Sequence, residues 1–437
     1  MDVDRPNLLV TLAAAGLAEV GLVRCGRRAG ATMIETADVV VVGGGVVGAS
    51  TAFHLAQGGA ARVVVCERRW VAAGATGKSG ALVRTHYTNA PEARLAQASL
   101  PYFHNWSDLV GRGDCGFLKC GMARLVASES IPKLEANVDM LERVGVNTQL
   151  IGPRELRELA PLWRVDDVVA AAWEPDSGCA DPVATAHGFF EAARTLGTDV
   201  RLRTEVRSID VAHGRVAGVQ TTHGSIETHT VVVAGGVWSL PLLRDLGIDV
   251  RLMPVRVQVA LFRRPPQLGG PHPVCIDGIN DLWLRPEGPG WSSTLVGAAS
   301  RRSPLDDADA LDEGVDAEYV ARARDELAKR MPDLADSPMR GGWAGAITLT
   351  EDGKPIIDRH PTIDGLFVFT GDSGSSFKTA PAIGRIFAEW IIDGYPSVLD
   401  PRPFRMQRFA EGEPLIGEHE YGDRDTEYSR ATRVMLG

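Results

Sequence analysis

Cysteine is scarce. The 437-residue sequence holds six, at positions 25, 66, 115, 120, 179 and 275, and none forms a CxxC pair. Cys115 and Cys120 lie nearest together but have no His or Cys cluster beside them, which argues against a zinc site. So few thiols in so long a chain also argue against a disulfide framework. Positive charge is short as well: 46 Lys and Arg face 56 Asp and Glu, a net charge of −10. A nucleic-acid binder needs a basic face to neutralise phosphates, so that class is set aside. No apolar run reaches the roughly 20 residues of a membrane helix. The nearest, from Leu8 to Val23, is interrupted by Thr11 and Glu19. Its flanks are wrong for a signal peptide, with Asp2 and Asp4 before it and Arg24, Arg27 and Arg28 after it. The reading is a cytoplasmic protein whose residues 1–36 are a dispensable extension, disordered or absent, with Met33 as an alternative start. Repeats and low-complexity blocks are missing too.

What is present is an ordinary globular composition, 44% hydrophobic and 23% charged, long enough for two domains. Asp38 to Val42 is a continuous apolar run, the mark of a strand buried on both faces of a parallel sheet. A glycine turn follows, then a helical stretch from Ala49 to Gln57. A second buried strand, Ala61 to Cys66, ends at Glu67. Further on, Pro182 to Leu196 reads as a helix. Val200 to Arg203 and Glu205 to Val211 read as strands and Thr230 to Ala234 as another buried strand. Strand meanders run from Val250 to Phe262 and from Leu282 to Ala298. A charged helix covers Asp316 to Arg330, Gly365 to Thr370 is a late strand, and a last helix begins near Ala380. Pieces of a nucleotide-binding layer thus alternate with meander pieces, which predicts two interleaved domains.

The glycine turn carries chemistry. Gly43, Gly45 and Gly48 form GxGxxG between a strand and a helix. The first permits the tight turn, the second lets backbone approach a pyrophosphate, and the third lets the helix pack close to the strand. Val46 and Val47 lie within the turn, just before the helix, whose N-terminal end favours phosphate. Glu67 closes the second strand, where a carboxylate accepts hydrogen bonds from ribose hydroxyls and repels a 2′-phosphate. The motif predicts a dinucleotide other than NADP and leaves FAD and NAD both open.

Four separated segments then carry a resemblance. Glu67-Arg68-Arg69 with Gly74 to Gly80 and Leu82 to Tyr87 comes first, and Val231 to Ser239 second. Thr350 to Pro361 is third, and Gly371 to Lys378 fourth. In this order, from about Asp38 to Gly394, the chain resembles the FAD-dependent D-amino acid oxidase superfamily, in its glycine and sarcosine oxidase group, and is most similar to the sarcosine oxidase β-subunit type. The resemblance implies an α/β fold (α+β overall): a Rossmann-like FAD-binding domain interleaved with a substrate domain on a mainly antiparallel sheet. The expected limits are 37–110, 180–247 and 341–396 for the FAD part, and 111–179 and 248–340 for the substrate part, followed by a tail from 397 to 437. Besides the residues of the turn, it implies FAD contacts from Arg68, Gly74, Thr76, Ser79, Gly80, Val206, Gly235 and Trp238, and later from Gly371, Ser373, Gly374, Ser375, Phe377 and Lys378.

The same resemblance implies oxidation of a C–N bond beside a carboxylate, giving an imine that water hydrolyses. The substrate is a small anionic amino acid or N-methylated amine, and the electrons pass to oxygen or another acceptor. Arg84 and Lys378 match the two cations that hold the carboxylate; a guanidinium suits this because its fork binds both oxygens. Tyr87 and His86 follow Arg84, and Trp283 falls where the family sets an aromatic over the substrate. Trp343 precedes the late flavin segment. There are two departures. The place of a flavin-tethering cysteine is taken by Gly345, which predicts non-covalent FAD. The place of an oxygen-activating lysine is taken by Leu295, which favours a dehydrogenase unless Arg285, Arg301 or Arg302 supplies the charge. The alternatives are a primary (D-)amino acid oxidase and a non-catalytic subunit that holds FAD within a larger assembly. A homo- or hetero-oligomer fits both the leading reading and these alternatives. No metal is expected.

Overall fold

The computed structural model describes residues 35–298 and 303–421. The leader from Leu8 to Val23, Met33, Arg301, Arg302 and the end of the tail lie outside the described residues. Glu35 and Thr36, counted with the extension above, form a short strand beside Ile226 and Glu227.

A six-stranded sheet organises the nucleotide-binding layer. Its order is Asp199–Arg201, Val63–Cys66, Val39–Val42, Val231–Val233, Leu366–Thr370 and Ile356–Arg359. The first five run parallel and the last antiparallel. The valines explain why this strand set sits in the middle. Side chains alternate across a strand, so Val39 and Val41 enter one core while Val40 and Val42 enter another. The first core is closed by the helices Val46–Gln57, Pro182–Thr195 and Ala380–Ile392. The second is closed by a four-stranded sheet that contributes Val206, Ile209, Val216 and Val219. Each such buried side chain contributes about 1.5–3 kcal/mol, so polar substitution in either pair of valines would undo the layer.

The second large sheet has nine strands and is mainly antiparallel. Its order is Ser303–Pro304, Met253–Arg263, Ser293–Ala298, Leu282–Glu287, Val274–Asp277, Met122–Leu125, Ala171–Glu174 and Gln149–Ile151, with Met339–Leu349 pairing alongside Met253–Arg263. The predicted meander from Leu282 to Ala298 is split by a turn in which Gly288, Gly290 and Trp291 take positive φ. The helix Ala317–Arg330 packs on this sheet through Tyr319, Ala323 and Leu327. The residues thus form a mixed α/β fold of the predicted class, with both sheets built from discontinuous chain. No helix among the described residues is long and apolar enough to cross a membrane.

The tail is tied down at least to Tyr421. Arg408 is fully buried and holds Asp352 with two hydrogen bonds, Nε–Oδ2 at 2.7 Å and Nη2–Oδ1 at 2.9 Å. Asp352 also accepts from the Leu415 amide at 2.9 Å.

Candidate functional site

The glycine turn is as tight as its sequence requires. Gly43 has φ +113°, and a Cβ there would lie 2.4 Å from the carbonyl oxygen of Ala234. A Cβ on Gly48 would lie 2.1 Å from the carbonyl of Gly43, so this residue sets the contact between helix and turn and has no place at a ligand surface. Val46 donates its N–H to Thr76 Oγ1 at 3.0 Å, which draws the second glycine-rich segment over the helix start. Glu67 is buried. It accepts the Gly44 and Arg69 amides, both at 2.6 Å. Burial raises its carboxyl above the ordinary range, against the opposing pull of those two amides.

These groups open onto a cavity of about 560 Å³. Every residue expected at the cofactor lines it except Gly48, Ser375 and Lys378. Sequence reasoning missed part of the wall: Arg69, Lys78, Gln258, Asp309 and Thr348. Asp309 takes hydrogen bonds from Trp238 Nε1 at 2.9 Å and Arg68 Nη2 at 3.0 Å. These contacts help hold its carboxyl below the usual range, against the effect of its partial burial. Four residues further on, Glu313 is bridged to Lys78. The segment carrying both acids therefore straps one side of the cavity. Lys78 was visible in the second glycine-rich segment; Asp309 had no signal, because its partners are far away in sequence. Cys66 is the one cysteine in the wall, and burial pushes its thiol up to about 11.

Trp283 also lines the cavity. Its ring lies against both Gly80 and Gly297, where a Cβ would come within 2.3 and 2.2 Å of the indole. Trp343 donates its indole N–H to the Lys78 carbonyl at 2.9 Å. Position 345 stacks on the Lys78 stem. Leu295 pairs with Arg285 across the sheet, and Gly297 pairs with Trp283. Cross-strand partners share a face, so Leu295 and Arg285 lie on the Trp283 side. Arg285 is buried and paired with Glu287.

Arg84, Tyr87 and Lys378 form a cluster outside the cavity lining, directly beyond Phe377, which does line it. The Arg84 guanidinium carbon lies 4.5 Å from the Tyr87 ring centroid, and Lys378 Nζ lies 5.3 Å from the same centroid. Arg84 donates to the His86 carbonyl, and Lys378 donates to the Ser375 carbonyl at 2.6 Å. The chain between Arg84 and His86 is fixed by Glu174, which is fully buried and accepts the Thr85 amide at 2.9 Å and the Ser177 hydroxyl at 2.6 Å. Burial raises the Glu174 carboxyl. His86 is buried and its imidazole is held well below the usual range, chiefly by burial and secondarily by Arg124 and Arg84. Its ring bonds Tyr421.

Comparison with known proteins adds the following. A family model described as DAO, FAD dependent oxidoreductase, matches residues 38–390. Sarcosine oxidase subunit beta of Arthrobacter sp is 27% identical over 87% of this chain and 93% of its own length. The mitochondrial pyruvate dehydrogenase phosphatase regulatory subunit of Mus musculus is 26% identical over 87% of this chain but 45% of its own length, so the chain spans less than half of that relative. Among solved structures, L-proline dehydrogenase from P. horikoshii superposes with a TM-score of 0.81 at 27% identity, over 88% of this chain and all of the other.

Proposed function

The chain belongs to the DAO family of FAD dependent oxidoreductases, and from that premise we propose that it oxidises the C–N bond of a small amino acid or N-methylated amino acid. One observation carries the reading: two cations from opposite ends of the chain, Arg84 and Lys378, sit over a single aromatic ring next to the cavity. A carboxylate is the ligand that such a pair selects.

The residues present fit the cofactor. The Gly43–Gly48 turn and the helix start take the pyrophosphate, Glu67 the ribose, and Trp283 with Gly371 to Gly374 the ring end. When bound, FAD would accept a hydride from the carbon beside the nitrogen, the C–N bond becoming C=N as the nitrogen loses its proton. The chain's own work is placement. Arg84 and Lys378 hold the carboxylate, Trp283 covers the substrate and excludes water, and the imine released is hydrolysed to a carbonyl compound and an amine. The cofactor is held without a covalent bond: position 345 has no thiol, and the Cys66 thiol is protonated at the ribose end. With aliphatic Leu295 on the Trp283 face, and with the Arg285 charge on that face paired to Glu287, electrons pass to an acceptor other than oxygen. The nucleotide-binding part is drawn mainly from 37–110, 180–247 and 341–396, with Met339–Leu349 lent to the other sheet.

The test is anaerobic. Amino acids and N-methyl amino acids are added to the yellow protein and bleaching is followed, then air is admitted. Bleaching by a carboxylate-bearing amine and slow recolouring are expected. Fast recolouring would make it an oxidase. A second reading, a non-catalytic FAD-holding subunit, is favoured by the relative named as a regulatory subunit. It predicts bound flavin that no amine bleaches.

A further inference from the structure

The last described residue of the tail is buried beside the clamp. Tyr421 is 6% exposed and packs with Ala172 of the second sheet, with Val126 and Ala170 at the ends of its strands, and with Leu134 and Val138 of the helix Ile131–Arg143. Its hydroxyl meets His86 Nε2, and the two rings stack at 18° with centroids 5.9 Å apart. The Arg124 guanidinium carbon lies 4.8 Å from its ring centroid. The backbone leading to it is pinned on two elements: Ser130 Oγ donates to the Tyr421 carbonyl at 3.0 Å, and Asn137 Nδ2 to the His419 carbonyl at 2.8 Å. Thr88 Oγ1 donates to Glu420 at 2.8 Å.

His86 occupies the middle of the clamp. Its own carbonyl holds Arg84, and the next residue supplies the ring beneath both cations. Among the described residues, Nδ1 of its imidazole has no partner. Within them, side-chain hydrogen bonding reaches this buried ring through Nε2 and Tyr421 alone. Losing that bond leaves the whole imidazole buried and unsatisfied, which costs more than the bond contributes. The ring would turn to find water, and the backbone that seats Arg84 would turn with it.

We propose that Tyr421 is a positioning residue for carboxylate recognition: the tail fixes His86, and His86 fixes the Arg84 guanidinium. The proposal rests on the function proposed above. It gives the tail a role in substrate selection in addition to the structural anchor supplied by Arg408.

The test uses the full-length holoprotein, the amino acid that bleaches the flavin fastest, and the methyl ester of that amino acid. Tyr421→Phe keeps the stack and removes the hydroxyl. The expected result is an apparent affinity for the acid about fivefold weaker, as for one lost buried hydrogen bond. Affinity for the ester and the limiting bleaching rate should be unchanged, while the melting temperature falls by a few degrees, as a buried imidazole left unsatisfied requires. Tyr421→Ala should weaken the acid further while the ester again holds. Arg84→Met tests the underlying reading: acid binding unchanged in that variant overturns the clamp, and this proposal with it. If Arg84→Met weakens the acid while Tyr421→Phe and Tyr421→Ala do not, the clamp stands and the Tyr421 role falls. Equal weakening of acid and ester in the Tyr421 variants also overturns it, since that pattern is general loss of structure. A flavin that no amino acid bleaches overturns the function itself.

Discussion

The Arg84 guanidinium carbon lies 4.5 Å from the centroid of the Tyr87 ring three residues later, and Lys378 approaches the same ring at 5.3 Å. Two cations approach one aromatic ring, and the ring and the His86 and Ser375 carbonyls all favour their positive charge. Adding a carboxylate relieves the repulsion between them directly. Replacing either cation by Met should weaken carboxylate substrates roughly 10- to 100-fold, the loss of a charge-assisted contact. Bleaching titrations check this, and unchanged affinity in both variants rejects the assignment.

Asp309 straps the cavity wall through Trp238 and Arg68. The ion pair is partly exposed, so its contribution is small. Asp309→Ala should release FAD about threefold faster, a change within the range of one such pair. Flavin fluorescence after dilution of the holoprotein reads the rate. Release slower than in the parent would reverse the role given to the strap.

Burial pushes the Asp358 carboxyl up to about 6, although the Met406 amide, 2.8 Å from Oδ2, favours the charged form. The folded state therefore holds this proton more tightly than the unfolded chain. Its stabilising effect is complete below the unfolded value of about 4 and is lost as pH rises through about 6. Asp358→Asn cannot ionise. Relative to the parent, it should gain stability as pH rises from 4 to 7, by at most about 3 kcal/mol. Thermal melting of both proteins across that range decides it; a constant difference or the opposite trend counts against the buried proton.

Arg408 and Asp352 are both fully buried. Arg408→Leu leaves the carboxylate without its counter-ion and should destabilise the fold by about 3–5 kcal/mol. Urea unfolding measures it. A loss below about 1 kcal/mol, the scale of a surface pair, would mean the tail is only loosely attached.

The nucleotide layer was legible because its signals are local. Valine runs mark strands buried on two faces, and the glycines of the turn have one steric purpose each. The helices Pro182–Thr195 and Ala380–Ile392 also begin close to where the sequence puts them. The stretch between Ala90 and Cys179 was not read. Its two longest helices, Ala90–His104 and Ile131–Arg143, carry Pro101 inside one and a polar face along the other. The strand Met339–Leu349 was hidden by Gly341, Gly342 and Gly345, residues that weaken a strand pattern. Gly342 and Gly345 are there because the Val259 carbonyl and the Lys78 stem approach too closely for any side chain. Asp309 and Tyr421 were missed for another reason: each acts on residues from the first quarter of the chain, and single-sequence patterns do not reach that far.

The order of strands in the six-stranded sheet also fixes when the protein can first hold its cofactor. Val39–Val42 lies next to Val231–Val233, which lies next to Leu366–Thr370, and the cavity wall joins the Gly43 turn to Phe377. On the ribosome, the turn emerges early and waits for nearly the whole polypeptide before its opposite wall exists. Such distant pairings make folding slow and leave valine-rich edges uncovered in the meantime. Free FAD supplied during synthesis should therefore do little for the nascent chain, and should raise the yield only once the Gly371 loop has left the exit tunnel.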